Sequence, residues 1–287
     1  MSGLEYSVTA LSVGSEGRSP DGTGFVAKEV TDLLFNLASP VRLQQLYTMK
    51  KRAFRMTELA RSTNATIQET SRHLARMREA GLIEKDADGF YSLTSLGRIL
   101  LSVLPSIGVL PMHRDFFLMH DLNLLPTEFT GRIGALAGAE FDGKAGLVQR
   151  RYERMISEAN ERLWIMGDSV TVSGERIGHM LSNRGTSLRI LYPSSGLGTP
   201  LGPREELQNI TRTFHGQIEV RAKERMEVGL VLNEREARFI APDLAGKLDY
   251  NVSFGGRDSV FHSLCRDLFN HHWNGSRRVA YVESSQR

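Results

Sequence analysis

The stretch from Thr66 to Gly97, TIQETSRHLARMREAGLIEKDADGFYSLTSLG, constrains the fold of this chain more than any other. It opens with Thr66 and Glu69 at capping-box spacing, where each side chain satisfies a backbone N–H at a helix start. At about 100° per residue, Ile67, Leu74 and Met77 share one helix face, while Gln68, Arg72, Arg76 and Glu79 lie opposite. After Gly81, LIEK and FYSL read as short strands joined by DADG, whose Asp-Gly favours the positive φ of a hairpin turn. An amphipathic helix is therefore followed by a small two-stranded wing.

Upstream, ELARST reads as a short helix capped by Thr57, with a break at Asn64 before Thr66. Earlier still, Phe25, Val26, Val30, Leu33, Leu34 and Leu37 recur at helical spacing. Ser39-Pro40 then offers an N-cap, followed by proline at the first position of a helix through VRLQQLYTM. Residues 1–24 carry Gly, Ser and Thr without a period and are expected to be a disordered lead-in. Short helix, turn, second helix and wing predict an α+β winged helix-turn-helix over residues 25–100, whose second helix fits the major groove.

Net charge supports that reading only through its distribution. The total is +3 with a pI near 9.1, but Pro40 to Ala80 holds nine basic residues against three acidic ones. A charged helix face is most often simply solvated. Here it sits in the order that presents it to a polyanion. Gln68 and Arg72 are the expected base readers, since Gln pairs with adenine and Arg with guanine. Thr66, Ser71, Arg76, Lys50, Lys51, Arg52 and Arg55 suit phosphate contacts. Glu69 is set aside as a capping residue, and His73 reads as a flanking surface residue.

SPVRLQQL, TELARSTNATIQETSRHLARMREAGLI and GFYSLTSLG resemble the arsenic-repressor-like winged-helix regulators. The thiolate pairs of the metal-sensing relatives are absent. With HDLNLLPTEFTGRIGALAG from His120 and the terminal LCRDLFNHHW, the chain beyond residue 25 is similar to the archaeal methanogenesis-regulatory-protein family, which joins a winged helix to an effector-type domain. That resemblance implies an archaeal transcriptional regulator with double-stranded DNA as partner.

From Thr94 to about Leu136 apolar residues recur at helical spacing, interrupted by Pro105, Pro111 and Pro126, and predict connecting helices. The boundaries read as a 101–142 connector and a 143–287 effector domain. Within the connecting region LGRILLSVLPSIGVL offers an apolar face for a homodimer. Beyond Gly143 comes an alternation of helix LVQRRYERMISEAN, strand LWIMG, helix ERIGHMLSN, strand LRILYP, helix REELQNITRTF and strand IEVRA. Strands VGLVLN and EARFIA and a helix from Asp258 to Trp273 complete an expected α/β domain with a mainly parallel sheet. Strand ends in such sheets are ligand positions, which makes Asp168, Ser194 and Ser195 candidates for a small-molecule effector.

This second half also looks like the phospholipase-D-like fold. That class uses a His-x-Lys pair, and none of the eight histidines is followed two residues later by lysine. GxxxxGK[ST] and HExxH are missing as well. The expectation is a chain that is not an enzyme, without cofactor or metal; His271-His272 read as structural or surface residues. The alternatives are a protein-interaction adaptor and, less favoured, a phosphodiester-acting enzyme. Cys265 is the sole cysteine, which excludes an intrachain disulfide. No run of about 18 to 20 apolar residues or secretory pattern is read, so a soluble cytoplasmic protein without membrane contact is expected.

Overall fold

The computed structural model describes residues 27–168, 186–194 and 217–279. The expected lead-in over 1–24, Phe25 and Val26, the helices ERIGHMLSN and REELQNITRTF, and Ser195 lie outside the described residues. The chain divides into two compact units, Met1–Val103 and Leu104–Arg287.

The first unit runs through α1 (Ala27–Leu37), α2 (Pro40–Met49), β1 (Phe54–Arg55), α3 (Met56–Ser62), α4 (Ile67–Glu79), β2 (Ile83–Lys85) and β3 (Phe90–Leu93). Ser39 caps α2, its hydroxyl accepting from the Arg42 N–H at 3.3 Å. Leu46, Met49, Leu59, Leu74, Met77, Leu82, Ile83 and Leu93 form the buried apolar set. Ile67 does not join it as expected: it is 54% exposed, and Thr70 takes the inward position of the first turn. That threonine is tolerated because the buried Gln45 amide donates to its hydroxyl at 3.4 Å.

The start of α3 also differs from expectation. Arg55, not Thr57, is the N-cap, and its backbone N–H donates to the Glu58 carboxylate at 3.0 Å. Pairing is the cause. Phe54 and Arg55 lie opposite Tyr91 and Phe90 on β3, which keeps the backbone extended through Arg55 and releases it into the helix immediately afterwards. The wing therefore has three strands, in the order β1-β3-β2, rather than two. Its turn is closed by the Asp86 carboxylate accepting from the Phe90 N–H at 2.8 Å, with Gly89 at φ 85°.

Thr94 closes the unit: its hydroxyl donates to the Gly81 carbonyl at 2.6 Å and accepts from the Gly97 N–H at 3.1 Å. A β-carbon on Gly97 would collide with the backbone carbonyl of Leu82. Gly97→Ala is therefore expected to destabilise this unit by about 1 to 3 kcal/mol, the usual range for overpacking. Faster amide exchange in β2 and β3, with the second unit unchanged, is the readout.

One continuous helix, α5 (Ser95–Met112), runs through Pro105 and Pro111 where the sequence suggested interruptions. It is long and apolar enough to cross a membrane by length and composition, which corrects the expectation that no such run exists. The second unit continues with α6 (Arg114–Met119), α7 (Thr127–Thr130) and a 3-10 turn (Ile133–Gly138). β4 (Glu140–Asp142), α8 (Ala145–Glu158), β5 (Arg162–Met166), β6 (Ser187–Pro193) and β7 (Ile218–Lys223) follow. Last come β8 (Gly229–Asn233), β9 (Ala237–Ile240), β10 (Ser253–Gly256), α9 (Ser259–Asn274) and β11 (Arg277–Arg278).

The eight strands form one sheet in the order β11-β7-β6-β5-β8-β9-β10-β4. The expected mainly parallel sheet is corrected: β5–β6 and β6–β7 are parallel, and every other pairing is antiparallel. Connection length explains the difference. Parallel neighbours require a crossover of about a dozen residues or more, which β5 to β6 and β6 to β7 possess, whereas only Glu234, Arg235 and Glu236 separate β8 from β9 and allow nothing but a hairpin. Phe239, Phe254, Phe261 and Phe269 fill the core between the sheet and α9, which Asp258 caps through the N–H groups of Val260 and Phe261.

One charged cluster lies inside this core. Arg238 is fully buried, bonded to Asp142, to the Ser253 hydroxyl at 2.9 Å, and 3.5 Å from Glu236. Arg154 in turn donates to both oxygens of Glu236 at 2.6 and 2.7 Å, and Arg151 approaches Asp142 at 3.2 Å.

Candidate nucleic-acid interface

The turn from α3 to α4 passes through Asn64 in the left-handed region, at φ 50°. Thr66 then caps α4 by accepting from the Glu69 N–H at 3.1 Å. Only this half of the expected capping box forms. The Glu69 carboxylate turns instead toward His73, 3.9 Å from its Nε2. Gln68, Ser71, Arg72 and Arg76 are all exposed along α4, and Ile67 stands exposed beside Gln68. An apolar side chain there was missed by reading it as core; its signal was its position at the first helical residue, ahead of the inward stripe of Thr70, Leu74 and Met77.

His73 is not a plain surface residue. Its Nδ1 lies 3.2 Å from the Gln45 amide oxygen, and Gln45, fully buried, also reaches the hydroxyls of Thr63 and Thr70. Burial lowers the His73 pKa, with the Glu69 carboxylate opposing, so the ring is neutral at pH 7 and serves as a strut between α2 and α4. A buried polar network of this kind fixes the tilt of α4 because each member loses its partner if the helix shifts.

Lys50, Lys51, Arg52 and Arg55 form a second exposed basic group, carried by the α2–β1 loop and β1. Arg52 stacks over Phe54 at 3.9 Å and pairs with Glu58 at 3.4 Å, while Arg55 lies 4.7 Å over Phe90 at the root of the wing. These aromatic contacts hold two long side chains in place.

In the second unit, Asp168 and Ser194 follow adjacent parallel strands, with Met166 opposite Leu191 and the Gly167 N–H donating to the Leu191 carbonyl at 3.2 Å. Asp168 is exposed and accepts from the Tyr250 hydroxyl at 2.8 Å; the Ser194 hydroxyl is buried and has no hydrogen-bond partner among the described residues. The sequence reading missed Lys223, which pairs across from Pro193. Its ammonium bonds both Glu227 oxygens at 2.9 and 3.0 Å and His272 Nδ1 at 2.9 Å. Of the two adjacent histidines, His272 is buried and His271 lies outward, 3.2 Å from Glu128.

No family model and no curated protein matches the chain, so membership of the archaeal methanogenesis-regulatory-protein family is not shown. Among solved structures, the chain is similar to TrmBL2, described as an archaeal chromatin protein with a novel mode of DNA binding. The identity is 14% and the TM-score 0.41, over 88% of this chain and 100% of that one. NucT from Helicobacter pylori matches at 12% identity and TM-score 0.38, over 47% of this chain and 92% of its own. NolR from Sinorhizobium fredii matches at 25% identity and TM-score 0.28, over 32% of this chain and 95% of its own.

The structural neighbours also include a phosphatidylserine synthase from Haemophilus influenzae Rd KW20 and an O-methyltransferase of neocarzinostatin biosynthesis. The expectation that the chain is not an enzyme is overturned by these neighbours and is withdrawn. The absence of His-x-Lys bears on one phosphodiester chemistry and says nothing of others.

Proposed function

We propose that the chain is a DNA-binding transcriptional regulator acting as a cytoplasmic homodimer. In this reading residues 25–100 bind duplex DNA, 101–142 connect, and 143–287 form an effector domain whose small-molecule site includes Asp168, Ser194 and Ser195. The observation that carries it is the outward face of α4, where Gln68, Arg72 and Arg76 stand exposed on a helix held from behind by Gln45 and His73. Gln68 and Arg72 are the base readers, Ile67 adds apolar contact suited to a thymine methyl, and Thr66, Ser71, Arg76, Lys50, Lys51, Arg52 and Arg55 hold phosphates. For the dimer, support comes from α5, whose Leu96, Ile99, Val103, Ile107 and Leu110 are each at least 44% exposed and recur every three or four residues.

The test is fluorescence anisotropy with a duplex selected from a random pool and with an unselected duplex, across a salt series. Affinity is expected to fall steeply with salt through counterion release. Arg72→Ala is expected to cost about 1 to 3 kcal/mol on the selected duplex and to relax one base preference in each half-site. Arg52→Ala should weaken both duplexes alike. If Arg72→Ala leaves selected and unselected binding unchanged, α4 is not the reading helix.

A further inference from the structure

Along one flank of α4 lies a cavity of about 630 Å³, lined by Arg42 of α2 and by Thr66, Glu69, Arg72, His73, Ala75 and Arg76. Its charge is one-sided. Three guanidinium groups face the single Glu69 carboxylate, since the histidine is neutral, and no ion pair involves any of the three arginines among the described residues.

Arg42 is the informative member. It is only 7% exposed, and arginine buried to that degree normally has a carboxylate partner. Here its Nε and Nη2 donate to the carbonyls of Asn36 and Phe35 at 2.8 and 2.7 Å, and Nη1 has no hydrogen-bond partner among the described residues. The Phe35 ring centroid lies 5.7 Å from the guanidinium carbons of both Arg42 and Arg76, bringing two like charges to one aromatic ring. Burial, and then the charge of Arg76, lower the Arg42 pKa from its ordinary value. Thr66 adds a hydroxyl whose oxygen accepts from the Glu69 N–H, leaving its hydrogen to donate.

We propose that this cavity is a phosphoryl-group site, in which Arg42 Nη1, Arg76 and the Thr66 hydroxyl hold the oxygens of a phosphate, with Arg72 also lining it. Guanidinium forks match phosphate oxygens in geometry, and the missing negative charge in the cavity is what such a group brings. Two sources carry that chemistry: a phosphate of bound DNA, or a small phosphorylated molecule that takes Arg72 and Arg76 away from DNA and so releases it. The second source rests on the DNA-binding reading for its consequence, while the site itself does not.

The experiment titrates the full chain, free of DNA, with pyrophosphate by calorimetry, and repeats it with Arg42→Met and Arg76→Gln. Saturable binding weakened at least tenfold by Arg76→Gln, and by Arg42→Met where that variant folds, is the expected result for a free phosphorylated ligand. Pyrophosphate should then displace labelled duplex. If pyrophosphate does not bind but Arg42→Met and Arg76→Gln each lower the salt slope of duplex binding by about one, the site holds a DNA phosphate. Pyrophosphate binding indifferent to both substitutions, or neither ligand depending on them, overturns the proposal. A parent chain that binds pyrophosphate but no duplex would defeat the DNA-binding reading and leave the site standing.

Discussion

Asp142→Ala is expected to remove about 3 to 5 kcal/mol of stability from the second unit, the range for stripping one partner from a buried ion pair. Arg238 has no exposure at all, and Asp142, itself buried, is its nearest carboxylate. Glu236 sits farther off at 3.5 Å and is already engaged by Arg154. The cost comes from the charge left behind rather than from the attraction lost. The double substitution Asp142→Leu with Arg238→Met should accordingly recover most of the deficit, because an apolar pair of similar bulk needs no hydration. Urea unfolding followed by tryptophan fluorescence measures this directly, since both tryptophans, Trp164 and Trp273, belong to the second unit. A single variant that loses less than about 1 kcal/mol would show that water or rearrangement satisfies Arg238, contrary to the packing described.

His272 is expected to make this unit sensitive to mild acid. Burial, foremost, and then the Lys223 ammonium and His271 lower its pKa, against the opposing Glu227 carboxylate, to about 4. An unfolded histidine takes up its proton near pH 6.5, so between about 6.5 and 4 the unfolded chain holds a proton that the folded chain refuses. The sign follows: stability is full above pH 6.5 and falls as pH drops through that window, by about 3 kcal/mol at its acid end. Lys223 bonded to Nδ1 agrees with a neutral ring. His272→Gln should flatten the urea-midpoint profile, followed by circular dichroism, between pH 6.5 and 4. A profile of unchanged slope would assign the acid sensitivity to other groups.

Much of the first unit was legible in sequence because its signals are local. Ser39, Thr66, Asp88-Gly89 and the spacing of Leu74 and Met77 each act within a few residues, and each appears where a cap, turn or inward stripe was expected. What went astray depended on distant partners. The start of α3 is set by β3, more than 30 residues later, and Ile67 lost its inward place to a threonine that only a buried glutamine could satisfy. Strand direction in the second unit was misjudged because the alternation of helices and strands read beyond Gly143 was extended to β8 and β9, which no helix separates. The distinguishing sign, a three-residue link between β8 and β9, was present in the chain. Arg238 and Asp142 are 96 residues apart, and nothing near either announces the other. The α4 candidates were legible as a charged face, whereas Arg42 and Lys223 were invisible because their neighbours come from other elements.

The two-residue strand β1 has a consequence out of proportion to its length. Arg55 pairs with β3 on one side and caps α3 on the other, and its guanidinium rests on Phe90 of that same β3 strand. The hairpin and the helix pair are thereby cross-braced into a single rigid tool. Any partner that must meet both at once finds them already aligned, so the conformational entropy of bringing them together is lost when the chain folds and not again at each encounter.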